Sequence, residues 1–221
     1  MPERARSFLD AVVALGGDPG PRAVAAVDDL SRRWGGEDRG YHDTEHLDEV
    51  LGRLHELDAV TPATVLAAWF HDAVYRGRAG HDERESADLA VRVLTDLRVD
   101  DAGARRVADL VLVTADHVPA PGDDEAAALC DADLAVLASD PERYRRYVAG
   151  VRHEYRRVPG PLFRRGRSAV LRRLLDRARD PEHPDGPLFR TERSRARWTG
   201  AAVANLEAEL ASLAKPVDDA V

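Results

Sequence analysis

The chain has 221 residues, 44% hydrophobic and 33% charged, with 32 basic against 40 acidic side chains and a net charge of −8. That length supplies a sizeable apolar core without disulfides or structural metals, and the acidic balance, with a pI near 5.5, argues against a general nucleic-acid binder. The single cysteine, Cys130, excludes a disulfide framework and a cysteine-based zinc site.

Helical periodicity runs through the chain without convincing strand alternation, which predicts an all-α fold. Residues 4–15 put Phe8, Leu9, Val12, Val13 and Leu15 on one stripe, closed by Gly16-Gly17-Asp18-Pro19-Gly20. A second helix over 21–34 carries Val24, Val27, Leu30 and Trp34. A third starts at Asp43 or Thr44, either of which can cap it, and turns Leu47, Val50, Leu51, Leu54 and Leu57 inward. Thr61-Pro62 opens an apolar helix that runs into Trp69-Phe70-His71-Asp72. Further helices are expected over 83–97, from 101 towards His117, and over 125–137, 141–157, 163–177 and 191–213. No apolar run approaches a membrane span, and Met1-Pro2-Glu3-Arg4 has no signal-peptide apolar region. A soluble cytoplasmic protein with no membrane partner is the expectation.

The chemistry concentrates around His71-Asp72. A carboxylate at the end of an apolar helix is costly without a partner, and a metal ion is an economical one. Imidazole and carboxylate ligands suit manganese, iron, zinc, cobalt or nickel, with magnesium a harder alternative. The candidate ligands are His46, His71, Asp72 and Asp133, with Asp131 an alternative to Asp133. His42 and His46 lie one helical turn apart, as two ligands on one face would, or as a cap and a surface histidine would. A lone His-Asp pair is weak; a His, an adjacent His-Asp and a distant Asp, in that order, is a stronger signal.

That order defines the HD superfamily of metal-dependent phosphohydrolases, and the chain resembles a bacterial family of predicted HD phosphohydrolases within it. The similar segments are Tyr-His-Asp-Thr-Glu-His-Leu at 41–47, Ala-Trp-Phe-His-Asp-Ala-Val-Tyr at 68–75, Asp-Glu-Arg-Glu-Ser-Ala at 82–87 and Thr-Ala-Asp-His at 114–117. Asp-Ala-Asp-Leu at 131–134, Arg-His-Glu-Tyr at 152–155 and Gly-Arg at 166–167 complete the set. The resemblance implies an HD-domain helical bundle with additional C-terminal helices. It implies one domain over 1–221, with a metal-site core at about 41–140 and a helical extension at about 141–221.

By the same resemblance His46, His71, Asp72 and Asp133 would hold a divalent metal, and a metal-activated water would hydrolyse a phosphate ester or anhydride. The substrate would be a nucleotide or another small phosphorylated metabolite. Asp72 and Glu83 are the catalytic candidates, Glu83 also reading as a helix N-terminal carboxylate. His42 would contact phosphate or orient a ligand. His117, which follows an apolar helix, is the extra histidine best placed to face the site, whereas His81 sits in a Gly-rich loop. Arg152 and Arg167, ahead of Arg164 and Arg165, are the arginines expected to meet phosphate. Glu154 and Tyr155 would instead lock helices together. Two rivals remain: a di-iron oxygenase of the same fold, and a non-catalytic metal- or nucleotide-binding protein. Oligomeric state is open, a homodimer included.

Overall fold

The computed structural model describes residues 2–214, so Lys215, the one lysine of the chain, lies outside the described residues. These residues form ten α-helices and a short 3-10 turn, and no strand occurs among them. The helices are α1 (Glu3–Ala14), α2 (Pro21–Trp34), α3 (Thr44–Glu56), α4 (Pro62–Phe70), α5 (Asp82–Asp96), α6 (Asp101–Val113), α7 (Asp124–Leu134), α8 (Pro141–Glu154), α9 (Gly160–Arg179) and α10 (Glu192–Leu213). The 3-10 turn Ala135–Ala138 follows α7 directly, where the sequence pattern suggested one helix to 137.

α4 is the centre. Thr61 and Thr64 close a capping box at its start, Pro62 occupies its first turn, and every residue from Ala63 to Phe70 is buried. A nine-residue helix this short holds only because its neighbours bury it on all sides. α1, α3, α5, α6 and α7 pack around it. One apolar cluster runs through α1–α7, from Ala5 to Ala132. A second gathers Tyr41, the 3-10 turn, side chains of α8–α10 including Tyr147, Leu171 and Trp198, and Phe189 from the segment between α9 and α10. The first cluster therefore takes in α1 and α2, ahead of the expected core at 41–140.

Val13 and Val24, read as inward from their spacing, are exposed at the margins of their stripes, while Phe8, Val12, Val27 and Trp34 are buried. No helix among the described residues is long and apolar enough to cross a membrane.

Candidate metal centre

His46 is fixed by the start of α3. The Asp43 side chain caps that helix, accepting from the N–H groups of Glu45 and His46, and the His46 ring turns into the core. His71 is the C-cap of α4; its ring Nδ1 lies 2.8 Å from Ala68 O. A carbonyl only accepts, so Nδ1 carries a proton and Nε2 is the ring nitrogen left for a ligand. Trp34 holds both ends of this arrangement: its ring lies against His71 and its Nε1 donates to Trp69 O at 2.9 Å.

The Nε2 atoms of His46 and His71 face one another at 3.3 Å. Asp133 Oδ1 lies 3.0 Å from His46 Nε2 and 3.7 Å from His71 Nε2, and Asp72 Oδ2 lies 3.3 Å from His71 Nε2. Donor atoms bound at about 2.0–2.2 Å to one ion stand roughly 3–3.5 Å apart, so His46, His71 and Asp133 fit a shared metal, with Asp72 beside His71. His46, His71 and Asp133 have donor atoms all within 4.8 Å of one another. The two imidazoles are 1% exposed, whereas the Asp72 and Asp133 side chains are 14% and 15% exposed, so the carboxylates form the open side.

The electrostatics favour a cation at this point. Burial lowers the His71 pKa, but Asp72 and Asp133 outweigh it and carry it up to about 9. Burial raises Asp72, yet His71 and His42 hold it well below the usual carboxylate range. Burial likewise raises Asp133, and hydrogen bonds to His117 and His46 bring it well below. The carbonyl end of α4 adds to the same negative field.

Asp131 and Asp133 point in opposite directions because residues two apart on a helix diverge by roughly 200°. Asp131 is fully buried and accepts from the Arg190 and Thr191 N–H groups at 2.5 and 2.8 Å, anchoring the start of α10. It is therefore removed from the alternative ligand set.

His42 stands at the rim. Its Nε2 is 3.9 Å from Asp72 Oδ2, its ring stacks on Tyr75, and Glu154 Oε2 holds its Nδ1 at 2.9 Å. Burial lowers its pKa, and Asp72 and Glu154 raise it further than burial lowers it. Glu154 Oε1 also accepts from the Gly40, Tyr41 and His42 N–H groups, and Oε2 from the Tyr75 hydroxyl. This carboxylate organises the whole 40–42 loop. It reaches the loop because α8 lies flush against it: a Cβ at Gly40 would collide with Gly150 backbone, and one at Gly150 with Gly40 backbone. Arg39 braces the other side, donating to His42 O and Asp72 O at 2.6 and 2.8 Å.

His117 Nε2 lies 2.9 Å from Asp133 Oδ2. Its backbone is left-handed, with φ 56°, an uncommon state for a residue with a Cβ. Buried Arg177 from α9 donates to the Asp116 and His117 carbonyls and secures that turn. Glu83 lines the cavity at the site, and its Oε2 is buried without a hydrogen-bond partner among the described residues. Neighbouring Asp82 has a different job. It accepts from the Arg76 and Arg78 N–H groups and shapes the loop before α5.

The expected arginines do not present free donors. Arg152 donates to Tyr155 O, 2.6 Å away, at the end of its own helix, and its guanidinium lies over the Phe163 ring. Arg167 lines the cavity but pairs bidentately with Glu209 at 2.7 and 2.9 Å. His81 is exposed, as its loop suggested. Burial, followed by Asp133 and Asp131, pushes the Cys130 thiol far up, consistent with a core residue.

Asp72, Asp133, His42 and His117 open on a cavity of about 560 Å³ between the α4–α5 loop and helices α8–α9. A second, more polar cavity of about 470 Å³ meets His46, Tyr41 and Asp133 from the side of Arg143 and Arg197. Neither cavity is legible in local sequence patterns. From sequence, Glu154 has a helix-locking role without its partner, the 40–42 loop, and nothing local distinguishes Arg39 from a surface residue. Comparison of the chain with protein-family models, with curated proteins and with solved structures yields no match.

Proposed function

We propose that this protein is a metal-dependent phosphohydrolase of the HD type, acting on a small phosphorylated substrate. The observation that carries the reading is the convergence of His46, His71 and Asp133 from three separate parts of the chain, with Asp72 beside His71, and with Asp72 and Asp133 opening on one cavity.

In this reading His46, His71, Asp72 and Asp133 hold the ion. A bound transition metal supplies a Lewis acid and a water of lowered pKa. The His71 imidazole is fixed from behind by Ala68 O, and the His46 backbone by the Asp43 cap, so little reorganisation is needed. His42, pinned by Glu154, aims Nε2 into the cavity and offers a hydrogen bond to a phosphoryl oxygen. Glu83, with an unengaged buried oxygen on the same cavity, exchanges a proton with the substrate.

His117 supports a second reading. A third imidazole at the other oxygen of Asp133 would be a candidate ligand for a second ion, as the oxygenase alternative requires. Elemental analysis of wild type, Asp72→Ala and His117→Ala tests both. About one ion per chain, lost in Asp72→Ala, together with hydrolysis of phosphate monoesters, is expected. Two irons per chain, one lost in His117→Ala, with oxygen-dependent turnover, would favour the oxygenase. No metal after reconstitution with manganese, iron, zinc, cobalt and magnesium would sink the catalytic reading.

A further inference from the structure

The cavity over the metal centre is chemically lopsided. Its floor is polar: Asp72, Asp133, His42, His117 and Glu83. Its far wall, contributed by α8, α9 and the turn between them, is aliphatic and aromatic, with Val151, Val158, Leu162, Phe163, Val170 and Leu174 facing the space. Leu162 and Val170, 61% and 46% exposed, extend this apolar lining to the mouth of the cavity.

Several of the cavity's polar groups are already engaged, although the buried Tyr41 hydroxyl has no hydrogen-bond partner among the described residues. Arg167 is paired with Glu209, and Arg78 with Asp82 and Glu85. The Tyr75 hydroxyl donates to Glu154 and the Thr114 hydroxyl to Val111 O. Arg173 is the one lining arginine whose guanidinium makes no hydrogen bond or ion pair among the described residues, and it is exposed at the rim. A triphosphate, with several charges to neutralise, would meet four lining carboxylates (Asp72, Asp82, Glu83 and Asp133) and one unengaged arginine.

A nucleobase fares no better. The chain contains no glutamine and one asparagine, Asn205, whose amide donates to Leu137 O and Ser139 O. No side-chain amide among the described residues thus reads a base edge here, and a base could meet only single hydroxyls such as that of Tyr41, leaving much of its edge unpaired.

We infer that the cavity takes a phosphate monoester of an apolar alcohol, the phosphate on the floor and the hydrocarbon against the α8–α9 wall. This rests on the phosphohydrolase reading and narrows it. The step is hydrolysis. A water oxygen bonds to phosphorus, the bond from phosphorus to the alcohol oxygen breaks, and one water proton ends on that alcohol oxygen. The second proton stays with the inorganic phosphate.

The test uses the metal-reconstituted full chain and the phosphate monoesters of ethanol, butanol, hexanol and octanol, beside adenosine mono- and triphosphate. kcat/KM is expected to climb about two- to four-fold per added methylene until the wall is filled. Leu162→Asp combined with Val170→Asp, both at exposed positions, is expected to depress octyl phosphate about ten-fold more than ethyl phosphate. A flat series, or adenosine triphosphate as the best substrate, would overturn the inference and leave the phosphohydrolase reading standing. If no ester is hydrolysed, the phosphohydrolase reading fails, and calorimetry with non-hydrolysable phosphonates still decides the cavity. Octylphosphonate binding at least ten-fold tighter than ethylphosphonate sustains the apolar wall, and equal binding overturns it.

Discussion

The end of α4 and the packing of α8–α10 both bury charged groups, but in opposite ways. At α4, His46, His71, Asp72 and Asp133 converge without completing one another: two imidazole nitrogens face each other, and two carboxylates remain open to a cavity. In the C-terminal helices the charges are closed off. Arg167 and Glu209, 8% and 3% exposed, form two parallel hydrogen bonds, and the Tyr144 hydroxyl fills a further position on Glu209. Incomplete satisfaction beside a cavity leaves the first region room for a ligand. Complete satisfaction marks the second as structure.

The sharpest test of that contrast is Glu209→Ala. It strands a buried guanidinium and should cost about 3–5 kcal/mol in urea denaturation while metal content stays at the wild-type level. Replacing the pair together, Arg167→Met with Glu209→Leu, should recover most of the loss. A loss under about 1 kcal/mol for Glu209→Ala would show that the pair is not the closed unit described.

Glu154 stands between the two regions, a C-terminal-helix residue that shapes the site. Burial raises its pKa, but His42 and the Tyr41 and His42 N–H groups outweigh burial and bring it down to about 2. A depressed carboxylate contributes stability that is present above its unfolded pKa of about 4.5 and is lost as pH falls towards 2. Glu154→Gln should therefore cost about 1–3 kcal/mol at pH 7, with the gap to wild type narrowing from pH 4.5 downwards. Parallel stability curves across that range would refute the assignment.

The smallest effect is expected at Arg152. Its bond to Tyr155 O caps a helix end, so Arg152→Ala should cost about 1 kcal/mol and leave kcat and KM for the preferred phosphate ester within two-fold. A ten-fold rise in KM would return Arg152 to the substrate.

Much of the helical framework was legible because it is local. Caps such as Asp43 and Thr61, breakers such as Gly35 and Pro141, and apolar stripes with a 3.6-residue period act within one or two turns. Expected and observed helix bounds agree to within about three residues at most ends. Val13 and Val24 fell outside that reach, since a residue at the edge of a stripe is buried only if a neighbouring helix covers it.

The sequence by itself determined the all-helical architecture, and it offered the residues His46, His71, Asp72 and Asp133 as a set. Tertiary structure alone decided between Asp131 and Asp133, because both sit on α7 and only the position of α10 makes one an anchor. It also decided the fate of the arginines. Whether a guanidinium meets substrate depends on which carboxylate lies within reach, and Glu209 is 42 residues from Arg167 in the chain. The organising role of Glu154 has the same origin: its contacts with the 40–42 loop span more than a hundred residues and need two glycines in mutual contact. Local periodicity encodes which elements form; the pairing of distant polar groups is set only when those elements pack.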